Sequence, residues 1–191
     1  TFILEDRPFS FTEGPEDGES KATVFRFSQD WVNRNTKNVL AARSQFSFGI
    51  DAFDATTNDG SPDGRFFAWL GQIQWVQQLS PRILAVTRLD AQLTPDALLP
   101  LEQFSIGGIN TLRGYRENQR VTDNRIIGSI EVRLPLTSDP NVLQIAPFFE
   151  FGTAWNNQEP DPDPATLASL GLGLYWLVTP DLNVRLDYGF P

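Results

Sequence analysis

Apolar and polar side chains alternate along almost the whole chain, and this pattern constrains the fold more than any other feature. In residues 143–155, for example, Phe149 and Phe151 fall on one face while Glu150 and Gly152 fall on the other. Successive side chains of a strand point to opposite faces of a sheet, so a period of two predicts β-strands. The predicted strands, about nine in number, cover residues 1–10, 22–32, 40–51, 67–78, 82–95, 125–136, 143–155, 167–177 and 182–190.

The connections between these strands alternate between short and long. Short turns lie at 33–37, around Ser80-Pro81, at 137–142 and at 179–181, and long connections lie at 11–21, 53–64, 96–124 and 156–165. The alternation predicts an up-and-down antiparallel meander, with tight turns at one rim and long loops at the other.

Two folds agree with this pattern: a soluble β-sandwich and a transmembrane β-barrel. Several predicted strands are longer than the roughly 5–6 residues usual in globular proteins, and long enough for a tilted membrane strand.

Aromatic residues lie near strand ends on the apolar face, as in interfacial girdles: Phe25, Trp31, Phe67, Trp75, Trp155, Trp176, Tyr188 and Phe190. Small residues on the opposite face leave room for something to pack inside: Gly49, Gly152, Gly171, Gly173 and Gly189. These features favour the barrel, and since bacterial barrels close with an even number of strands, we expect a fragment of a larger one.

Composition excludes several classes of function. The net charge of −9 argues against nucleic-acid binding, which needs a basic surface. The chain has no Cys and no His, which excludes thiol catalysis, Cys/His zinc sites and His-based triads. The acidic segment 58–64 misses the spacing of an EF-hand and is expected to be a solvated loop. We therefore predict no cofactor and no metal site.

The long connection 96–124 has an unusual composition for a loop, with no strand or helix pattern of its own. Its central residues combine paired glycines with an apolar–cation–glycine–aromatic run, namely Gly107, Gly108, Leu112, Arg113, Gly114 and Tyr115. A surface loop with Arg113 in water is the simpler interpretation. A connection of this length is often functional, however, and its Gly, Arg and large side chains favour a packed loop.

Five stretches give the sequence a specific resemblance: 104–115, 131–136, 146–156, 167–174 and 184–191. Together they resemble the outer-membrane transporters of two-partner secretion, the haemolysin secretion/activation family. The resemblance implies a sixteen-stranded barrel preceded by polypeptide-transport-associated (POTRA) domains. On that template, residues 1–191 are the C-terminal portion of one transmembrane β-barrel domain. The POTRA domains and the final strand are then expected to lie outside this sequence.

The resemblance also implies that the long loop folds into the lumen and that its Arg pairs with an acidic residue of a Phe-x-Asp-x-Gly strand motif. Arg113 matches the Arg, and Phe148, Glu150 and Gly152 match the motif, with Glu in place of Asp. The alternation independently places Glu150 on the polar face, where a carboxylate and a guanidinium can form a charge-assisted pair. Glu131 and Arg133 share that face and are expected to extend the network. The alternative is that Arg113 and Glu150 each face water in an open pore.

The expected function is an outer-membrane pore that translocates and activates a large secreted partner protein. The partners expected are that exoprotein and the lipid of the bacterial outer membrane, with no nucleic acid, and the barrel is expected to be monomeric. A barrel-assembly or protein-import component of the same superfamily and a passive porin remain alternatives. An enzyme is not expected, although the inward carboxylates Asp51, Asp90, Glu131, Glu150 and Asp187 could imitate acid–base pairs.

Overall fold

The computed structural model describes residues 21–53, 55–56, 62–158 and 160–191, and these form one large antiparallel sheet. The strands are β1 (Thr23–Arg34), β2 (Asn38–Ile50), β3 (Phe67–Ser80), β4 (Ile83–Leu93), β5 (Phe104–Ile106), β6 (Arg120–Thr122), β7 (Asn124–Pro135), β8 (Leu143–Trp155), β9 (Thr166–Thr179) and β10 (Leu182–Phe190). The eight-stranded sheet has the order β1-β2-β3-β4-β7-β8-β9-β10, in which every neighbouring pair is antiparallel. The chain therefore meanders from one edge of the sheet to the other, as the alternation of short and long connections predicts.

The eight long strands lie where the sequence predicts them, with ends that differ by a few residues. The predicted strand at 1–10 falls outside the described residues. The connection 96–124, which shows no periodic pattern in the sequence, contains a short hairpin in which β5 and β6 pair. Strands of three residues are too short to show a period of two in the sequence. No helix within the described ranges has the length and apolar character needed to span a membrane.

The two faces of the large sheet differ sharply. We call the face that the long loop covers the inner face, and the opposite one the outer face. Large apolar side chains are exposed on the outer face, including Phe25 at 65%, Leu170 at 64% and Tyr188 at 68%. On the inner face even charged side chains are buried, as for Glu131 and Glu150. This distribution excludes the sandwich, in which apolar rows are buried between two sheets.

The long loop packs on the inner face through two apolar clusters. Ile106 and Leu112 of the loop contact Ile127, Ala154 and Leu167 of the wall. Nearer the start of the loop, Leu98 packs against Phe66 and Ala68. Full burial of a side chain of this size contributes about 1.5–3 kcal/mol, so these contacts alone give the loop a preferred position.

The exposed outer face predicts a depth-dependent response to charge within one strand. Leu172 lies at the middle of β9 and Val178 near its end, and both are on the outer face. In the intact protein refolded into lipid vesicles, we expect Leu172→Arg to cost about 2–4 kcal/mol of unfolding free energy and Val178→Arg about 0–1 kcal/mol. Denaturant unfolding monitored by tryptophan fluorescence measures both, and equal costs would contradict a lipid-facing outer surface.

Candidate functional site

The tip of the long loop touches the backbone of the inner wall. Gly114 has a φ of +94°, which a residue with a Cβ rarely adopts. A Cβ on Gly114 would lie 2.9 Å from the carbonyl carbon of Gly189 on β10, and a Cβ on Gly189 would lie 2.6 Å from the backbone N of Gly114. Two glycines therefore meet where loop and wall come closest, and this contact sets the depth to which the neighbouring Arg113 reaches.

Arg113 makes its most extensive contacts with Glu150 of β8. The backbone N–H of Arg113 donates to Oε2 of Glu150 at 2.7 Å, and its side-chain Nε donates to Oε1 at 2.8 Å. Nη2 lies 2.6 Å from the same Oε1. Main chain and side chain of one residue thus converge on a single carboxylate, so the longer Glu at this position reaches the loop without difficulty.

Two further carboxylates contact the Nη1 atom of Arg113. Oε2 of Glu131 on β7 lies 3.0 Å away and Oδ1 of Asp187 on β10 lies 2.7 Å away. All three guanidinium nitrogens are therefore paired, and the carboxylates come from three different strands. Through the loop tip, the interaction joins β7, β8 and β10.

Arg133 and Arg185 complete this cluster. Nε of Arg133 donates to Glu131 at 2.9 Å, and Nε of Arg185 donates to Asp187 at 2.6 Å. The hydroxyl of Tyr175 also donates to Glu131 at 2.9 Å. We call Arg113, Glu131, Arg133, Glu150, Asp187 and Arg185 the lumen charge network. Its three arginines and three carboxylates sum to zero, so it adds no net charge to the wall.

The aromatic ring of Phe148 packs against the guanidinium group of Arg113. The Cζ atom of Arg113 lies 3.4 Å from the centroid of this ring, a cation–π contact. Across the strand pair, Gly171 faces Phe148, and a Cβ there would lie 2.4 Å from the ring. The missing side chain at Gly171 therefore lets the ring lie flat enough to support Arg113.

Burial makes the network costly to break. The side chains of Arg113, Glu150 and Asp187 are only 5–6% exposed. Burial alone would lower the pKa of the Arg113 guanidinium, but the hydrogen bonds that it donates to Glu150, Asp187 and Glu131 and the charge of Glu150 raise that pKa above its ordinary value. Arg113 therefore stays charged, and removing one partner from such a buried group costs about 3–5 kcal/mol because the other charge is left unpaired.

The other residues singled out in the sequence support this arrangement. Gly107 and Gly108 have φ values of +108° and +102°, and they turn the chain after β5. Leu112 is fully buried beside Arg113, and the Tyr115 hydroxyl donates to the carbonyl of Ala168 at 2.9 Å. Gly152 faces Ile106, whose Cγ2 atom would lie 3.1 Å from a Cβ at that position.

The sequence did not identify Asp187 as a partner of Arg113. It placed this residue among inward carboxylates, and only its spacing of two from Arg185 hinted at a pair. The remaining inward acids lie elsewhere: Asp51 is exposed, and Asp90 accepts a hydrogen bond from Gln72 at 2.7 Å. Within residues 21–191, apart from the few that are not described, no group of three acidic side chains is arranged to hold a metal ion.

The base of the loop is held by hydrogen bonds that the sequence did not reveal. We call Asp123, Asn124 and Asn157 the rim clasp. Asp123 is 2% exposed, and its carboxylate accepts from the backbone N–H of Leu98 at 2.9 Å and of Asn157 at 3.0 Å. Asn124 accepts from the backbone N–H of Thr94 at 2.8 Å.

Asn157 joins the clasp to the next long connection along the chain. Its side-chain Nδ2 donates to the backbone carbonyls of Asp96 at 2.6 Å and Thr94 at 3.1 Å, and its Oδ1 accepts from Asn124 at 3.1 Å. Both ends of the long loop are thereby fastened to one side chain of a neighbouring loop.

The clasp predicts that Asn157→Ala loosens the base of the loop. Two backbone carbonyls and the Asn124 amide lose a partner, so we expect the free energy of unfolding to fall by about 1–3 kcal/mol. We also expect faster tryptic cleavage after Arg116 and Arg120 in the intact folded protein. Asn141→Ala is the matched control, because Asn141 is exposed at the opposite rim and only its backbone N–H has a partner among the described residues. Cleavage rates that do not differ between the two variants would show that the clasp does not restrain the loop.

Comparison with known proteins places this architecture in a family. Residues 17–176 match the family model described as haemolysin secretion/activation protein ShlB/FhaC/HecB. An outer membrane transporter CdiB of Escherichia coli O6:K15:H31 is 25% identical over 154 residues, which is 78% of this chain and 26% of the relative. A second Escherichia coli CdiB is 24% identical over the same shares of the two chains.

Solved structures have the same fold. CdiB from Escherichia coli aligns with a TM-score of 0.63 at 24% identity, covering 90% of this chain and 37% of that one. BamA from Haemophilus ducreyi aligns with a TM-score of 0.67 at 17% identity, covering 95% of this chain and 42% of that one. The chain spans about a quarter of the length of the curated relatives that it matches. It is an all-β segment of a bacterial outer-membrane β-barrel and belongs to the ShlB/FhaC/HecB family of haemolysin secretion/activation proteins.

Proposed function

We propose that the protein containing this chain translocates a large secreted partner protein across the outer membrane by two-partner secretion, and activates it in doing so. In this proposal, residues 1–191 belong to the C-terminal portion of a single, monomeric barrel, and POTRA domains of the same protein receive the unfolded partner. The observation that carries the proposal is the attachment of Arg113 to three carboxylates of the inner wall.

The tip and the base of the long loop attach to the wall through different interactions. The tip is held by ion pairs in the lumen charge network, whereas at the base the Asp123 carboxylate and the two asparagines bond only to uncharged groups. Charge interactions respond strongly to a neighbouring charge or to water entry, whereas the clasp lies away from the network. Such a loop can therefore change the position of its tip while its base stays in place, which suits an element that sets the active state of a pore.

No bond-making chemistry is part of the proposal. The three carboxylates around Arg113 are all engaged by arginines, so none is free to act as a general acid or base. Folding of the exported chain outside the cell provides the driving force, since a folded domain cannot return through the pore.

The family match favours secretion over barrel assembly or protein import, because its model is that of secretion/activation proteins. The likeness to BamA is a likeness of fold, which both functions share. A passive porin would differ from a secretion pore in the position of its loop, because the charged side chains of a constriction loop line an open channel. In this chain the Arg113 side chain is withdrawn into the wall, at 6% exposure.

The proposal predicts that Arg113→Ala in the intact protein abolishes secretion of the partner while the barrel still inserts. The carboxylates of Glu150, Glu131 and Asp187 lose their shared cation, so they repel one another and the tip loses its attachment to the wall. Secreted partner in the medium and heat-modifiable migration of the barrel measure the two effects. Arg116→Ala is the control, since Arg116 is exposed in the same loop and the same charge is removed.

A second variant separates charge from geometry. Arg113→Lys keeps the charge but cannot serve three carboxylates with fixed planar donors, so we expect secretion well below wild type. Wild-type secretion by Arg113→Ala would remove the loop tip from the mechanism. Equal losses in Arg113→Ala and Arg116→Ala would show that the loop needs positive charge but not this contact.

A further inference from the structure

A polar cavity lies between the loop tip and the inner wall, beside the lumen charge network. Its volume is about 200 Å³, and its lining includes Gln72, Arg88, Asp90, Asn110, Arg125 and Ser129. The wall contributes β3, β4 and β7, and the loop contributes the residues just before Arg113. Arg113, Glu150 and Arg185 also border the cavity, but each is already paired within the network.

Arg125 is buried at this cavity and forms no ion pair with a residue that the structure describes, since the charge of Asp90 acts on it only from beyond contact distance. It is 7% exposed, its Nη1 donates to the carbonyl of Ser105 at 2.6 Å, and its Cζ lies 4.4 Å from the ring centroid of Phe104. Its Nε has no hydrogen-bond partner among the described residues. A buried charged donor left unsatisfied is costly, and native structures rarely keep one. The Nε atom of Arg125 therefore needs an acceptor, and the surrounding wall does not supply one.

Arg88 is the second unmatched cation. It lies on the inner face of β4, opposite Ser129, and forms neither a hydrogen bond nor an ion pair with any residue in the described ranges. Asp90, two residues further along β4, lines the same cavity and is held by Gln72 at 2.7 Å. The arginines of the charge network each have a carboxylate within 3.0 Å, so the absence of one at both Arg88 and Arg125 distinguishes this cavity from the rest of the wall.

The cavity also suits an anion in charge and size. Two unmatched arginines and one aspartate leave an excess of one positive charge, in a chain whose net charge is −9. A water molecule takes about 30 Å³ of liquid, so the space admits a carboxylate or phosphate group together with several waters. Guanidinium groups bind such planar or tetrahedral oxygen anions with paired hydrogen bonds.

We propose that Arg88 and Arg125 form an oxyanion-binding site at the junction of the long loop and the inner wall. The ligand chemistry is a carboxylate or phosphate group, which can come from free anions or from acidic side chains of a polypeptide in the lumen. The binding of free anions does not depend on the proposed function. Only the idea that a polypeptide in the lumen supplies the carboxylate rests on the proposed function.

The test is equilibrium dialysis of radiolabelled inorganic phosphate against the purified intact protein in detergent micelles, at constant ionic strength. We expect saturable binding of one phosphate per barrel, weakened at least about tenfold by Arg88→Gln and by Arg125→Gln, since each removes one of two cations. Arg26→Gln is the matched control, because it removes the same charge from a strand of the same sheet outside the cavity, where Arg26 pairs with Glu102 at 2.6 Å. Arg88 is exposed, so its variant is expected to fold even if Arg125→Gln does not.

The absence of saturable phosphate binding to the wild type would overturn the proposal, as would equal binding by wild type and Arg88→Gln. A competition experiment separates the two sources of the anion. Displacement of phosphate by a short glutamate peptide, but not by the matching glutamine peptide, supports entry of acidic side chains, whereas phosphate binding without displacement assigns the site to free oxyanions. Because dialysis requires no transport, a failed secretion assay leaves this result unaffected.

Discussion

The burial of one arginine on the inner wall is the interaction on which the site depends. A guanidinium removed from water is stable only if its donors meet acceptors, and the wall supplies three carboxylates to Arg113 from three strands. Those carboxylates in turn need more than one cation, and Arg133 and Arg185 provide the remainder. Loop position, strand register and side-chain charge are therefore coupled, because a shift of any one leaves a buried charge unpaired.

This arrangement reverses the usual relation between core and surface. The outer face exposes rows of aromatic and aliphatic side chains, while buried Arg and Glu residues lie between the loop and the wall. In water such an outer face would drive association, but against hydrocarbon it requires no cover. Strands of nine to fourteen residues fit this setting, since a tilted membrane strand needs a comparable length. The long loop supplies the apolar contacts and charges that stabilise the interior.

Arginines on the inner face fall into two groups with different physical roles. Arg113, Arg133 and Arg185 have carboxylate partners. Arg113 connects the loop to the wall, and Arg133 and Arg185 balance the remaining carboxylate charge within the wall. Arg88 and Arg125 face a cavity with no such partner among the described residues, which leaves positive potential available to an external anion. Arg26 and Arg43 on the same face also have carboxylate partners, at 2.6 and 3.9 Å, so the contrast marks the cavity at Arg88 and Arg125 as the place where an external anion can bind.

The strands, their two faces and one ion pair could be predicted from the amino-acid sequence. The period of two is a local property of a strand, and it therefore predicted the eight long strands and the inward direction of Glu150. The motif around Arg113 and the resemblance then singled out Arg113 and Glu150, which the structure brings within 2.8 Å. Tertiary structure alone decided the contact with Asp187, the hairpin β5–β6, and the clasp of Asp123, Asn124 and Asn157. These depend on sheet register and on the path of a loop between segments as much as 74 residues apart, and no periodicity along the chain records such distances.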